Sequence, residues 1–319
     1  MLCLVSGDME PEVSVVIPTH GAWPLLTVTL AAALAQEDVD IEVVVVDDGS
    51  TDETQQRLAE LEDPRVRVFR NDPAQRVAAA RNRGIAEARG RWIAFLDHDD
   101  LWAPRKLRRQ LDAAAVAGAV WAYAGGLSVD EHLEVVGDQP APPADEVDAS
   151  LLRFNTIPCG CSNVIARADV VRAVGGFDPR TKLAADWDMW LRLSAAGPAA
   201  SVDEPLIAYV EHAAGMSSQS GADIWDELAY FSDKFRGRGF DPDGVLISRW
   251  VAGRALRAGN RRGALKAYLH GAVRYNSPGN LPRAASVLLG DRLRRRFATE
   301  RPAGGPAPAW LARMSHPAA

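Results

Sequence analysis

Val43-Val44-Val45-Val46-Asp47-Asp48-Gly49-Ser50 and, farther along, Trp92-Ile93-Ala94-Phe95-Leu96-Asp97-His98-Asp99-Asp100 decide how this chain is read. Each is an unbroken apolar run that ends in carboxylates. Strands of a parallel sheet are covered on both faces and therefore read as continuous hydrophobic runs. The crevice beyond the carboxyl ends of such strands is where open α/β sheets bind ligands. Asp186-Trp187-Asp188 and His212 follow later in the chain. Acidic groups gathered at that edge outline an enzyme that handles a nucleotide and a metal ion.

Working outward, strands are expected at Val13–Pro18, Ile41–Val46, Arg65–Arg70 and Arg91–Leu96. Helical stretches at Leu25–Gln36, Glu53–Leu61 and Ala78–Ala88 separate them, and another helix follows Pro104, a residue suited to a first helical turn. Such alternation implies right-handed crossovers and a mostly parallel sheet flanked by helices. Beyond Gly118 the pattern loosens. Val120–Val129 reads as a strand pair, Gln139–Asp145 as a Pro-rich acidic loop, Asn163–Arg167 as a strand followed by a short helix. Asp186 to Ala196 reads as a helix and Leu206–Glu211 as the last strand. From Ala222 the chain is helical, broken at Gly259-Asn260 and Ser277-Pro278-Gly279. Ala285, Leu289, Leu293 and Phe297 have the spacing of one apolar helical face.

The 319 residues suffice for one large domain or two ordinary ones, and 47% hydrophobic with 24% charged residues is ordinary for a globular protein. No apolar run approaches the ~20 residues that cross a bilayer, and Leu2-Cys3-Leu4-Val5 is too short for the core of a signal peptide. Three cysteines, two of them in Cys159-Gly160-Cys161, make no disulfide framework, so a reducing cytoplasm is expected. That Cys-Gly-Cys lacks the further ligands of a zinc site and reads as a tight loop. The net charge of −6 conceals a division: residues Val245 to Arg301 hold 13 Lys/Arg against 2 Asp/Glu. A basic surface there would face an anionic partner, or simply solvent. Nucleic acid is not expected as that partner, since the segment lacks interleaved aromatics and no known module appears.

Asp97 and Asp99, two residues apart just past a strand, can both reach a pocket if the chain turns there. Mg²⁺ or Mn²⁺ takes one or two carboxylates together with substrate phosphates, and a departing diphosphate needs such neutralisation. A lone acidic pair is common on surfaces; its position at the end of a buried strand favours function.

The string Val13-Ser14-Val15-Val16-Ile17-Pro18-Thr19 resembles the opening strand of family 2 glycosyltransferases, whose fold is GT-A. Val44 through Asp52 is similar to that family's second motif. Ala80-Arg81-Asn82-Arg83-Gly84 and Phe95 through Asp100 match the third and fourth. Gly175-Gly176-Phe177-Asp178 and Asp186-Trp187-Asp188-Met189-Trp190 follow in the family's order. Six motifs in register cover residues 13 to about 217.

The resemblance implies a GT-A (Rossmann-like) catalytic domain over 11–221; charge and helical pattern add a basic helical extension over 222–301, and disordered ends are expected at 1–10 and over the Pro/Gly/Ala-rich 302–319. It implies inverting transfer of a sugar from a nucleotide-sugar donor to a hydroxyl acceptor in glycan or polysaccharide biosynthesis. Thr19 and Asp48 match positions that hold the base and ribose; a carboxylate at Asp48 could accept from an imide N–H, which favours UDP- or TDP-sugars. Asp97 would face the ribose and metal shell, and Asp99 would ligate Mn²⁺ or Mg²⁺, with His212 completing the metal or diphosphate site. Asp186 resembles the catalytic base; otherwise it is a helix N-cap. Family members usually carry Glu where this chain has Ala185, so Asp188 would share or take that role. Arg76 stands where Gly is common and either contacts the base or phosphates or points into solvent. Asp47 lies beside the donor site. Trp190 is expected buried and Trp187 at the cleft.

The acceptor would be a lipid-linked glycan, a polysaccharide or a small natural product. The basic helices, with Arg294-Arg295-Arg296 beside Leu293 and Phe297, have the mixed character of a peripheral contact at the inner face of the membrane. Equally, they would pack on the catalytic domain or on a second copy in a homo-oligomer. A non-catalytic nucleotide-sugar sensor on the same fold is the alternative. A nucleotidyltransferase is disfavoured, because Thr19-His20-Gly21-Ala22-Trp23 is no Gly-rich basic phosphate loop.

Overall fold

The computed structural model describes residues 10–212, 224–289 and 307–314. The first half runs β1 (Val13–Thr19), α1 (Trp23–Leu34), β2 (Ile41–Asp47), α2 (Thr54–Ala59), β3 (Val66–Arg70), α3 (Val77–Glu87), β4 (Trp92–Phe95), β5 (Leu101–Trp102) and α4 (Lys106–Ala117). The strands and helices expected there lie within two residues of these bounds. β6 (Trp121–Val129), β7 (Val135–Gln139), α5 (Val147–Leu151), β8 (Ile165–Arg167), α6 (Ala168–Ala173), α7 (Ala185–Ala196) and β9 (Ala199–Val210) complete the sheet and its covering helices. The sheet order is β3-β2-β1-β4-β8-β6-β9-β5, with β7 added on β6. β1, β2, β3 and β4 pair in parallel, as do β6 and β9, and these make up most of the paired length.

Valines at 43, 44, 45 and 46 are all fully buried, each contributing about 1.5–3 kcal/mol of apolar transfer. Alternate ones point to opposite faces, so Val44 and Val46 join one core and Val43 and Val45 the other. The chain leaves β1 outward to β2 and β3, then returns to β4 on the other flank. That reversal beside β1 is a topological switch point, where such sheets open a ligand crevice. α3 lies close over β1: a Cβ on Gly84 would sit 2.3 Å from Val16 Cγ1, so only glycine fits this crossing.

Several expectations beyond Gly118 are corrected. Residues 121–129 form one strand, not a pair. Gly126 within it is small because a Cβ there would meet Cys159 Sγ at 2.2 Å. β9 begins at Ala199, well before Leu206; the register shifts between its pairings at Val202 and Pro205, and a bulge is where a strand tolerates proline.

The C-terminal region comprises α8 (Ile224–Lys234), α9 (Gly244–Arg257), α10 (Arg261–Arg274) and α11 (Asn280–Leu289). The helices break where expected: Gly259 has φ 69° and the Asn260 side chain accepts from Gly263 N–H at 2.8 Å. α8 does not stand apart from the core under the sheet. Leu228, Phe231, Phe235 and Phe240 belong to the same cluster as Phe95 and Trp190. α9, α10 and α11 share a smaller core of Ala252, Ala264, Ala267, Tyr268, Ala284 and Val287. On α11 the buried face is therefore Ala284 and Val287, and Ala285 is exposed. Leu293, Phe297, the Arg294-Arg295-Arg296 run and the disorder expected at 1–9 lie outside the described residues. Part of the segment expected to be disordered, 302–319, is ordered: Leu311 is buried with Leu127, Val129 and Val210, and Trp310 Nε1 donates to Pro205 O at 3.2 Å.

Candidate active site

The ends of β1 and β2 are joined by the Asp48 N–H, which donates to Thr19 O at 2.8 Å. Thr19 is buried, and its Oγ1 has no partner among the described residues. Asp48 is also buried, and its carboxylate organises the loop before α3. Oδ1 accepts from Asn71 Nδ2 at 2.8 Å and Gln75 N–H at 2.9 Å, and Oδ2 from Arg76 N–H at 2.7 Å. Arg76 takes φ 77°, a left-handed conformation that glycine adopts freely, and its side chain is exposed. Asp47 is turned to structure: its carboxylate accepts from Ser50 N–H at 2.9 Å and pairs with Arg70.

Past β4, Asp97 pairs with Arg81 at 2.5 Å. Arg81 lies on α3, is 4% exposed, and sits over the Phe177 ring at 5.1 Å. Burial opposes its charge, yet Asp97 and its neighbours hold it firmly protonated. Asp186 acts on the same guanidinium through its charge, while the ion pair itself is made with Asp97. Sequence reading quoted Arg81 within a motif but assigned it no role; a charge buried in an amphipathic helix was the available signal.

Asp99 Oδ2 lies 2.9 Å from His212 Nε2. Burial pushes the Asp99 carboxyl up more than any other single influence, but the His212 hydrogen bond together with the neighbouring charges of His98 and His212 brings the net direction down. The same bond to Asp99 raises the His212 imidazole above its ordinary value against the effect of burial. This pairing depends on Asp100, which sequence reading passed over. Asp100 is fully buried, accepts from Val210 N–H at 3.1 Å and is bonded by Ser162 Oγ, while Thr29 Oγ1 donates to its backbone carbonyl at 2.9 Å. It pins the turn after β4 to the end of β9, two residues before His212. Burial, then the charges of Asp99 and Asp97, drive the Asp100 carboxyl well up.

Mg²⁺ and Mn²⁺ bind through few protein groups plus phosphate oxygens. Among the described residues no group of three or more His, Cys, Asp or Glu converges as a cage. The adjacent Asp99 carboxylate and His212 imidazole fit an ion that takes its remaining ligands from a bound diphosphate. Asp97 is engaged by Arg81 instead.

Asp186 lies in the first turn of α7. The N-cap position is Ala184, so Asp186 is not the cap. Its Oδ1 accepts from Trp187 N–H at 2.7 Å and its Oδ2 from Asn155 Nδ2 at 3.0 Å. Burial raises its pKa, only partly countered by those bonds and Arg81. The Cys159-Gly160-Cys161 turn packs beside it: a Cβ on Gly160, at φ 52°, would lie 3.6 Å from Asp186 Oδ2. A carboxylate held by two donors, with an elevated pKa, can accept a proton from a hydroxyl brought to its free lone pair.

Two expectations around Asp186 are corrected. Trp187 is not at a cleft: it is 3% exposed, donates through Nε1 to Leu151 O at 2.7 Å, and packs on Phe231 and Phe240. Trp190 is fully buried, as expected. Asp188 is fully buried too, ion-paired to Arg192 and to Lys234, both at 2.5 Å. With both oxygens held by cations away from solvent, it is a structural anchor rather than a base.

Known proteins are similar to this chain in sequence and fold. The sequence profile described as glycosyl transferase family 2 matches residues 14–169. The succinoglycan biosynthesis protein ExoO of Rhizobium meliloti is 46% identical over 112 residues, 35% of this chain and 32% of its own length. The Escherichia coli UDP-Glc:alpha-D-GlcNAc-diphosphoundecaprenol beta-1,3-glucosyltransferase WfaP is 29% identical over 58% of this chain and 71% of its own. TuaG of Bacillus subtilis, named for teichuronic acid biosynthesis, is 30% identical over 60% of this chain and 75% of its own. The chain thus spans about a third of ExoO but most of the other two. Among solved structures, S. aureus TarS 1-349 in complex with UDP-GlcNAc aligns with a TM-score of 0.56 at 16% identity, over 87% of this chain and 79% of TarS 1-349. Mannosyltransferase PcManGT from Pyrobaculum calidifontis, in complex with GDP-Man and Mn2+, aligns with a TM-score of 0.54 at 18% identity, over 96% and 86%. The fold is GT-A, and the chain belongs to glycosyl transferase family 2.

Proposed function

We propose that this protein is an inverting glycosyltransferase that moves a sugar from a UDP- or TDP-sugar to a hydroxyl acceptor. The observation that carries this reading is Asp186. It is a half-buried carboxylate in the first turn of α7, held by Trp187 N–H and Asn155 Nδ2 beside the Cys159–Cys161 turn, and its pKa is raised. In the reaction the acceptor oxygen attacks the anomeric carbon, the bond to the diphosphate breaks, and Asp186 takes the acceptor's proton. Thr19, Asp48, Arg76 and Asp97 border the donor. Asp99 and His212 would hold a Mn²⁺ or Mg²⁺ ion, which when bound would supply positive charge for the departing diphosphate. Of the site residues expected from sequence, Asp47, Trp187 and Asp188 have structural roles in this reading.

The acceptor is a lipid-linked or polysaccharide glycan, a reading supported by the names of the relatives. No described helix is long and apolar enough to cross a membrane. Leu246 and Trp250 on α9, Leu269 and Val273 on α10, and Leu281 and Leu288 on α11 are exposed among basic residues. That mixture supports peripheral contact with an anionic membrane surface.

Calorimetric titration of UDP, TDP and GDP, with and without Mn²⁺, tests the reading. Wild type is expected to bind one diphosphate in a Mn²⁺-dependent way, and Asp99→Asn to lose at least tenfold in affinity with Mn²⁺ present. Absence of binding to all three by folded wild type would favour the sensor or scaffold alternative.

A further inference from the structure

Asp186 is carried by the first turn of α7, where backbone N–H groups lack intrahelical partners and the helix tends to fray. The N-cap residue, Ala184, has no side chain to cap that end. The segment that leads into it is held from α8. Glu227, 8% exposed, accepts from Lys182 N–H at 3.1 Å and Leu183 N–H at 3.0 Å through Oε1, and from Ala184 N–H at 3.0 Å through Oε2. Three consecutive N–H groups leading into the turn that bears Asp186 thus end on one carboxylate more than forty residues away. The same helix grips α7 twice more, through Lys234 on Asp188 and Phe231 on Trp187. Both contacts fall on the two residues that follow Asp186.

The other support of the carboxylate is tied to the same region. Asn155, which donates to Asp186, follows Leu152 and Arg153, whose carbonyls accept from Asp241 N–H at 3.1 Å and Asp243 N–H at 2.7 Å. Arg153 also pairs with Asp241 at 3.0 Å.

We propose that Glu227 is a positioning residue for transfer: it fixes the first turn of α7, and α8 is thereby part of the support of the base rather than an appendage. The inference rests on the assignment of Asp186 as the base. A displacement of the order of 1 Å can cost about 10²-fold in rate, so the loss should appear in kcat and spare donor affinity.

The test is a double-mutant cycle read as nucleoside diphosphate release from a panel of UDP- and TDP-sugars, with donor KM measured alongside. Glu227→Ala is expected to lower kcat about 10–10²-fold with donor KM unchanged. Glu227→Gln, which keeps one acceptor oxygen and serves where the alanine variant folds poorly, should fall between. In an Asp186→Asn background Glu227→Ala should cost no further rate, because the group it positions is gone. Equal losses in both backgrounds, or wild-type kcat in both Glu227 variants, would overturn the proposal. Turnover unchanged by Asp186→Asn alone would instead overturn the base assignment beneath it.

Discussion

Asp186→Asn should lower sugar transfer by about 10²–10⁴-fold, the range a positioned general base contributes, with binding of the nucleoside diphosphate unaffected. The asparagine keeps the shape and still accepts through its oxygen, but it cannot take the acceptor's proton. The pH profile gives the same test a sign. Burial holds the Asp186 carboxyl above its ordinary range, and the base works only when ionised. The wild-type rate therefore rises as pH passes upward through that raised pKa and is lost as pH falls through it. In Asp186→Asn this limb should be missing from whatever rate remains. A variant that keeps the limb would mean that another group takes the proton.

Asp188→Ala should act on stability. Asp188 is fully buried between Lys234 and Arg192, whose side chains are only 20% and 16% exposed. Removing the carboxylate leaves two cations facing each other in a poorly hydrated space. Deleting one partner of a buried ion pair costs about 3–5 kcal/mol, measurable by chemical denaturation. The expected pattern is a large loss of stability in Asp188→Ala, and donor affinity near wild type wherever the protein stays folded. Unchanged stability with abolished transfer would reverse the roles of Asp186 and Asp188.

The parallel half of the sheet was legible because its strands are local apolar runs and its carboxylates follow them directly. Val43–Val46 and the run ending at Leu96 needed no distant partner to be recognised, and Asp48, Asp97 and Asp99 came with them. The environment of Asp186 was less legible, since its neighbours are supplied from far along the chain. Trp187 looked like a cleft residue because the rings that cover it, Phe231 and Phe240, belong to a region read as a separate extension. Asp188 came forward as a second base because Ala185 stands where the family carries Glu, and Lys234, which joins Arg192 on its carboxylate, is remote in sequence. Val120–Val129 looked like a strand pair because no periodicity reveals its distant neighbours, such as Cys159 packed on Gly126. Arg81 and Asp100 were hidden for a different reason: charged residues are assumed exposed, and these two are buried by mutual satisfaction with the site.

The account stands most directly on the stereochemistry of transfer. Proton NMR can follow which anomer forms first when wild type, with Mn²⁺, turns over an α-linked nucleotide sugar. A single in-line displacement with Asp186 as base predicts that the β-configured product appears first. An α-configured product appearing first would contradict it.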